Sequence, residues 1–284
     1  MNKFFILGCI LFLSHCYSTE RRYTTGSPVP EKTVETFDES NPQFESGEPY
    51  KIIDYPAHYI FSLPSKLVFL SWEVDNHQIS DKTKQYLKKY IQENNLKNVK
   101  VRFNQYAPID DLQRLWKNEN INVLLKYTAG IVGWFIKSVV PERLFSGLLG
   151  GDHYDQFTNT IHIYSDSIPI AIHEGGHAKD FSLRTQKSWY TLLRVIPVIG
   201  ALYQEGRATD DAIGYISYKC DRKQERKAYT QLSPAYSTYI FSDFLGSFSI
   251  LASIPGHIWG YFTAKSFDEK QIPRCEGKQD FVKK

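Results

Sequence analysis

The sequence has little excess charge of either sign, few cysteines and no internal repeat. Its 34 lysines and arginines stand against 31 aspartates and glutamates, leaving a net charge of +3. That balance gives no field strong enough to draw nucleic acid or an acidic membrane surface to the folded chain. The most basic run, Asp221 to Lys227 (DRKQERK), interleaves acids and reads as a solvated helix face. Four cysteines without a CxxC or Cys–His spacing give no support for a cysteine metal site. With 284 residues the chain can bury a substantial core in one domain with extensions.

The N-terminus carries an export pattern. Met1-Asn2-Lys3 is followed by the apolar run Phe4 to Leu13, long enough for a signal-peptide core and too short to span a bilayer. The run ends in Leu13-Ser14-His15-Cys16, which resembles a bacterial lipobox, although His15 stands where a small residue is usual. The resemblance implies that residues 1–16 form a lipoprotein-type signal peptide and that Cys16 carries the lipid. The protein is then expected in the cell envelope, held to a membrane by that lipid only. With Cys9 lost and Cys16 acylated, Cys220 and Cys275 remain as a candidate disulfide pair in a compartment where disulfides persist. Such a bridge, closing a loop of about 56 residues, would stabilise the fold by roughly 4 kcal/mol in the chain-entropy model. The alternative is two unpaired buried thiols.

Residues 17–55 are rich in Ser, Thr, Glu and Pro and read as a flexible tether, leaving residues 56–284 as the folded domain. Lys66 to Val74 (KLVFLSWEV) reads as a strand. A helix starts at Ser80-Asp81, with Tyr86, Leu87, Tyr90 and Ile91 at helical spacing. Asn98 to Phe103 alternates like a half-buried strand, and a helix follows from Pro108 to Trp116. Thr128 to Leu149 reads as buried helical segments, and Asn159 to Ser165 as a further alternating strand. Ile240 to Phe262 is mostly apolar and about the length of a membrane helix, but Asp243, Pro255 and His257 favour core packing near the active site. The order of elements predicts an α+β fold: a small mixed sheet, an active-site helix and a mostly helical C-terminal half.

The chemistry is concentrated in Ser165 to Phe181 (SDSIPIAIHEGGHAKDF). Ser165, Asp166 and Ser167 supply N-caps, and Pro169 fits a first turn. On the helix that follows, His173 and His177 are four residues apart on one face, so their imidazoles can converge on one ion. Zinc suits two such nitrogens at about 2.0–2.1 Å. Glu174 points beside the metal and can reach a water there as general base. Eight His and 15 Glu in 284 residues give this spacing by chance about 0.01 times, so the motif is specific. Gly175 and Gly176 each cost the helix roughly 1 kcal/mol relative to Ala, which implies that a neighbouring element or a substrate approaches closely there.

The pattern His173-Glu174-Gly175-Gly176-His177 resembles the signature of the zincin metallopeptidases. The resemblance covers Asp152 to Ile216, about a quarter of the chain. It implies a zincin-like fold, a zinc cofactor, and an edge strand before the helix, here Thr160 to Tyr164, that pairs with a peptide substrate. Asp180 and Leu183 stand where the metzincin pattern needs Gly and His, so that subgroup is excluded. The gluzincin pattern takes its third ligand from a later helix. Leu202, Glu205, Thr209, Ala212 and Ile216 share one face there, and a carboxylate among apolar neighbours needs a partner. Glu205 is therefore the expected third ligand; the alternative is a salt bridge with Arg207 or Arg184. Gluzincins commonly carry an Asp four residues on, where this chain has Thr209, with Asp210 one place late. Asp180 can orient a ligand histidine, or can be an ordinary charge near the helix end. His153 and His162 flank the expected edge strand and face cleft or solvent, with solvent favoured; Tyr164, Tyr215 and Tyr218 are candidates to stabilise an oxyanion.

Two functions from different classes fit. The leading expectation is a zinc-dependent metallohydrolase acting on a peptide or protein substrate, with Glu174 as base. The alternative is a non-catalytic metal-binding surface lipoprotein on a zincin-like scaffold. Hydrolysis of a non-peptide amide at the envelope is a third reading.

Overall fold

The computed structural model describes residues 23–148, 150–194, 199–245 and 253–270. It is an α+β chain, mostly helical, with one four-stranded mixed sheet. The sheet is built from β1 (Phe44–Ser46), β2 (Lys100–Phe103), β3 (His153–Asp155) and β4 (Thr160–Ile163) in the order β1-β2-β4-β3. β1, β2 and β4 run parallel, and β3 runs antiparallel to β4 at the far edge.

The N-terminal half carries α1 (Lys51–Pro56), continued by a π-helical turn Ala57–Phe61, then α2 (Leu63–Phe69) and α3 (Asp81–Glu93). Ser80 caps α3 by accepting a hydrogen bond from Thr83 N, and Leu87, Tyr90 and Ile91 turn its apolar side into the core. α4 (Pro108–Lys117) has proline in its first turn with Asp110 and Asp111, and Arg114 and Lys117 in its last, which complements the helix dipole. α5 (Val123–Leu125), a second π-helical turn Lys126–Gly130, α6 (Ile131–Val139) and α7 (Glu142–Phe145) follow.

The second half is α8 (Ile168–Ser182), α9 (Lys187–Leu193), α10 (Ile199–Tyr218), α11 (Arg222–Leu245) and α12 (Ser253–Lys270). Every residue of α8 is buried. It is packed by α3, α10, α11 and the sheet, and its two mid-helix glycines lie against α3 and α10. A Cβ on Gly175 would come within 2.7 Å of the Tyr90 ring, and one on Gly176 within 2.9 Å of Ala208 O on α10. The close approach inferred from these glycines is made by neighbouring elements.

Several expectations are corrected. The tether expected at 17–55 is docked from Tyr23 onward. Tyr23 Oη donates to Asn94 (2.8 Å), Val29 N to Ser182 O (3.1 Å), and β1 joins the sheet, so Asn94, Ser182 and β2 are partners that composition does not reveal. Lys66 to Val74 is helix and turn instead of strand. Pro64 fits the first turn of α2, and the Lys66 ammonium reaches Ser62 Oγ, Val74 O and Asp75 O only because the chain curls back on itself. β2 is buried on both faces. Lys100 bonds Glu45 (2.6 Å), and Arg102 bonds Glu45, Asp110 and Asp111, so its alternating charges are paired and not solvated. The 128–149 stretch is helical over 128–139 and 142–145, but Val132, Phe135, Ile136 and Val139 are exposed, and residue 149 lies outside the described residues.

Of the 240–262 stretch, 246–252 lie outside the described residues. α12 packs closely on α11 and ties to α2 through His257 Nε2 and Val68 O (2.7 Å), yet Ile254, Ile258, Tyr261 and Phe262 face outward. Among the described residues no helix is long and apolar enough to cross a membrane.

Candidate metal centre

α8 presents His173 and His177 on one face, and α10 crosses it at Gly176 closely enough to bring Glu205 opposite them. His173 Nε2 lies 3.1 Å from Glu205 Oε2, His177 Nε2 lies 3.3 Å from the same oxygen, and the two nitrogens are 3.1 Å apart. Donors about 2.0–2.1 Å from a tetrahedral ion stand roughly 3.3–3.4 Å from one another, so the triangle has the size that one such ion requires. All three residues are buried, and the cluster could hold a metal ion. Among the described residues no other three His, Cys, Asp or Glu side chains bring ligand atoms within 4.8 Å of one another.

The donor set also fits a cation electrostatically. Two neutral imidazole nitrogens and a carboxylate oxygen facing one point are mutually repulsive lone pairs unless protons or a metal lie between them. Burial alone pushes the Glu205 carboxyl up, but His177 and His173 outweigh it and hold that group well below the usual carboxylate range. Burial pushes His177 down, and the Glu205 carboxylate more than reverses this and holds it above its ordinary value. The centre is built to hold positive charge.

Thr209, one turn beyond Glu205, sets its Oγ1 3.3 Å from His173 Nδ1. With Nε2 turned to the metal position, Nδ1 carries the proton and donates to that oxygen, fixing tautomer and ring orientation. The residue that departs from the gluzincin Asp thus occupies the supporting place itself, and Asp210 is not needed for it. Asp180 does not reach a ligand histidine. It accepts from Arg184 Nη2 (2.5 Å), Arg207 Nε (2.7 Å) and Tyr190 Oη, which ties α8 to α9 and α10. Both arginines weighed as partners of Glu205 are thereby engaged elsewhere, and besides the two histidines Glu205 meets Arg194, at 3.6 Å.

The centre opens into a cavity of about 880 Å³, whose wall includes His173, Glu174, Glu205 and Thr209. Glu174 is buried and faces this space beside the ligands. β4 is not an edge strand, because β2 pairs with one side of it and β3 with the other. The sheet edge along the cavity is β3, with Tyr154 and Asp155 in the wall. His162 is buried, and His153, its side chain 24 % exposed, stands in the cavity wall, so solvent is not the place of the pair. Their rings stack 4.7 Å apart, and His153 Nε2 accepts from Lys137 (3.0 Å). Tyr164, Tyr215 and Tyr218 are absent from the cavity wall, whereas Tyr236 and Arg194 are in it. Nothing in the local pattern of α11 distinguishes Tyr236 from the other eighteen tyrosines. Cys220 is disulfide-bonded; Cys16 and Cys275 lie outside the described residues.

No protein-family model, curated protein or solved structure matches the chain.

Proposed function

We propose that the chain is a zinc-dependent peptidase of the zincin type, with His173, His177 and Glu205 as ligands and Glu174 as general base. The observation that carries this reading is the triangle of donor atoms, 3.1–3.3 Å on each side, with Glu174 on the wall of the same cavity. A zinc ion bound there would polarise a scissile carbonyl and acidify a water. Glu174, adjacent to His173 on the helix, takes the proton from the attacking water and returns it to the leaving amine. Thr209 keeps His173 in the ligating tautomer. The free edge of β3 offers backbone groups to an extended substrate, which supports a peptide over a compact small molecule.

The reading extends to an exported lipoprotein. Tyr23 already packs on Tyr215, with ring centroids 5.0 Å apart. A lipid on Cys16 would therefore hold the domain within about 25 Å of the membrane, the reach of seven extended residues.

Elemental analysis of the purified full-length chain, with a peptide library as substrate, tests the proposal. One zinc per chain is expected, lost in His177→Ala and Glu205→Ala. Glu174→Gln should keep the zinc and lose turnover. A chain that takes up no metal after zinc loading refutes the site. Bound zinc without turnover in the unaltered protein would favour the non-catalytic binding protein.

A further inference from the structure

The cavity wall is far more acidic than the metal centre needs. Among the described residues six carboxylates line it (Asp75, Glu142, Asp152, Asp155, Glu174 and Glu205), against the permanent cations Lys137 and Arg194. Lys137 is already shared between Asp155 (2.9 Å) and Glu142 (3.5 Å), and Arg194 lies by Glu205. Among the described residues, Asp75, Asp152 and Glu174 are left without a lysine or arginine partner on the cavity wall.

Asp75 and Asp152 form a built pair. Ser165 Oγ accepts from Asp75 N (2.7 Å) and donates to Asp152, whose other oxygen accepts from Tyr164 N (2.7 Å) and Ser165 N (3.0 Å). Asp75 Oδ2 accepts from Ser65 Oγ (2.6 Å). Its Oδ1 has no hydrogen-bond partner among the described residues, although Asp75 is only 2 % exposed. That oxygen faces the glycine turn on the cavity wall, 3.4 Å from where a Cβ on Gly151 would stand. Asp75 also holds a left-handed backbone (φ 45°), a strain that is retained where the surroundings demand one side-chain direction.

Outside the wall, Lys66 lies close enough to Asp75 to act on its charge. Its three ammonium protons go to Ser62 Oγ, Val74 O and Asp75 O, so it contributes charge but no donor to the Asp75 carboxylate. Burial, and then repulsion from Asp152, raises the Asp75 carboxyl to about 7, as expected of an acid lacking its counter-ion. Asp152 is in turn close enough to Glu174 for the two carboxylates to repel.

We infer that Asp75 and Asp152 form a cation-recognising subsite of the substrate cavity, and that the substrate is a peptide carrying an ammonium or guanidinium group. This deepens the peptidase reading and rests on it for the word substrate. A metal ion is a poorer occupant, since no third carboxylate or histidine joins the pair within ligating distance among the described residues. An organic cation needs only hydrogen-bond acceptors and opposite charge, and the free Oδ1 offers both. The chemistry is common to a lysine or arginine side chain and to a peptide N-terminus.

The test is capture from randomised hexapeptide libraries by full-length Glu174→Gln protein, with bound peptides read by mass spectrometry. One library is capped at both ends and the other has free amino termini. Expected is an enrichment of lysine and arginine at one position of the capped library, of about tenfold or more. If enrichment instead requires the free terminus, the recognised group is the α-amine. In either case the preference should fall below about twofold in Asp75→Asn combined with Glu174→Gln. No enrichment of a cationic group in the parent protein overturns the inference, as does an undiminished preference in a folded Asp75→Asn variant that keeps its metal content. Capture needs no turnover. Cationic selection by a protein whose unaltered form cleaves nothing would keep the subsite and remove the peptidase, and turnover without cationic selection would do the reverse.

Discussion

Replacing Gly176 by Ala should loosen the metal centre without touching a ligand. A Cβ at 176 would stand 2.9 Å from Ala208 O and 3.1 Å from Ala208 Cα, both backbone atoms that cannot rotate away. Ordinary contact begins near 3.5 Å, so α8 and α10 must part locally by about half an ångström. Overpacking of this kind costs about 1–3 kcal/mol, offset by about 1 kcal/mol of better helix propensity. The net effect on the metal-free protein is about 1 kcal/mol of destabilisation. Glu205 stands one turn before Ala208, so the same displacement carries its carboxylate away from the two imidazoles. Metal affinity should fall by about tenfold or more, the range seen when a ligand's support is disturbed. Gly206→Ala is the control on the same helix, because its Cβ would meet nothing closer than Tyr236 Oη at 3.5 Å. It should gain several tenths of a kcal/mol and leave affinity unchanged. Denaturant unfolding in chelator and competition with a zinc chelator read the two quantities. A Gly176→Ala protein that matches Gly206→Ala in both would refute the argument that helix contact sets the geometry of the centre.

Three further outcomes follow from the same geometry. Thr209→Val removes the acceptor for His173 Nδ1 and should weaken zinc binding by about tenfold, measured by chelator competition; unchanged affinity would release Thr209 from that role. Asp180→Ala removes a buried carboxylate tied to three side chains on neighbouring helices. It should lower unfolding free energy by about 1–3 kcal/mol, discounted because Arg184 and Arg207 are partly exposed, while zinc stoichiometry stays at the unaltered value. Asp75→Asn tests the buried acid: because the folded pKa, about 7, lies above the unfolded value, the wild-type chain loses stability as pH rises through that window. Relative to the Asn variant it should lose roughly 1.4 kcal/mol per unit between pH 5 and 7 and level off above, in paired unfolding curves; a pH-independent difference would show that Asp75 ionises normally.

Local signals carried the sequence reading as far as local physics decides structure. Ser80 as a cap, Pro108 in a first turn, and His173 and His177 one turn apart are each fixed by neighbours within four residues. Glu205 was legible for a different reason, since a carboxylate on an apolar helix face needs something to answer it. What stayed hidden depends on partners far along the chain. Lys100 and Arg102 look like the solvated side of a strand until Glu45, Asp110 and Asp111 cover them. The edge position belongs to β3 and not β4, because lateral strand order leaves no mark on either strand's own alternation. Asp180 stands within one turn of a ligand histidine, yet Arg207, 27 residues later, claims it. Asp75 and Asp152 are 77 residues apart, and only the fold makes them neighbours.

The first strand gives the N-terminal segment a protective duty. Val101 N donates to Gln43 O (2.8 Å), and Gly47 N donates to Phe103 O (2.8 Å), so this segment occupies the outer side of β2. A protein shortened to begin near residue 56 would bare that side, a run of unsatisfied peptide groups beside Val101 and Phe103. Naked edges of this kind recruit strands from other molecules. Self-association of the trimmed domain, and its absence when the chain begins at Tyr23, is the behaviour that this arrangement dictates.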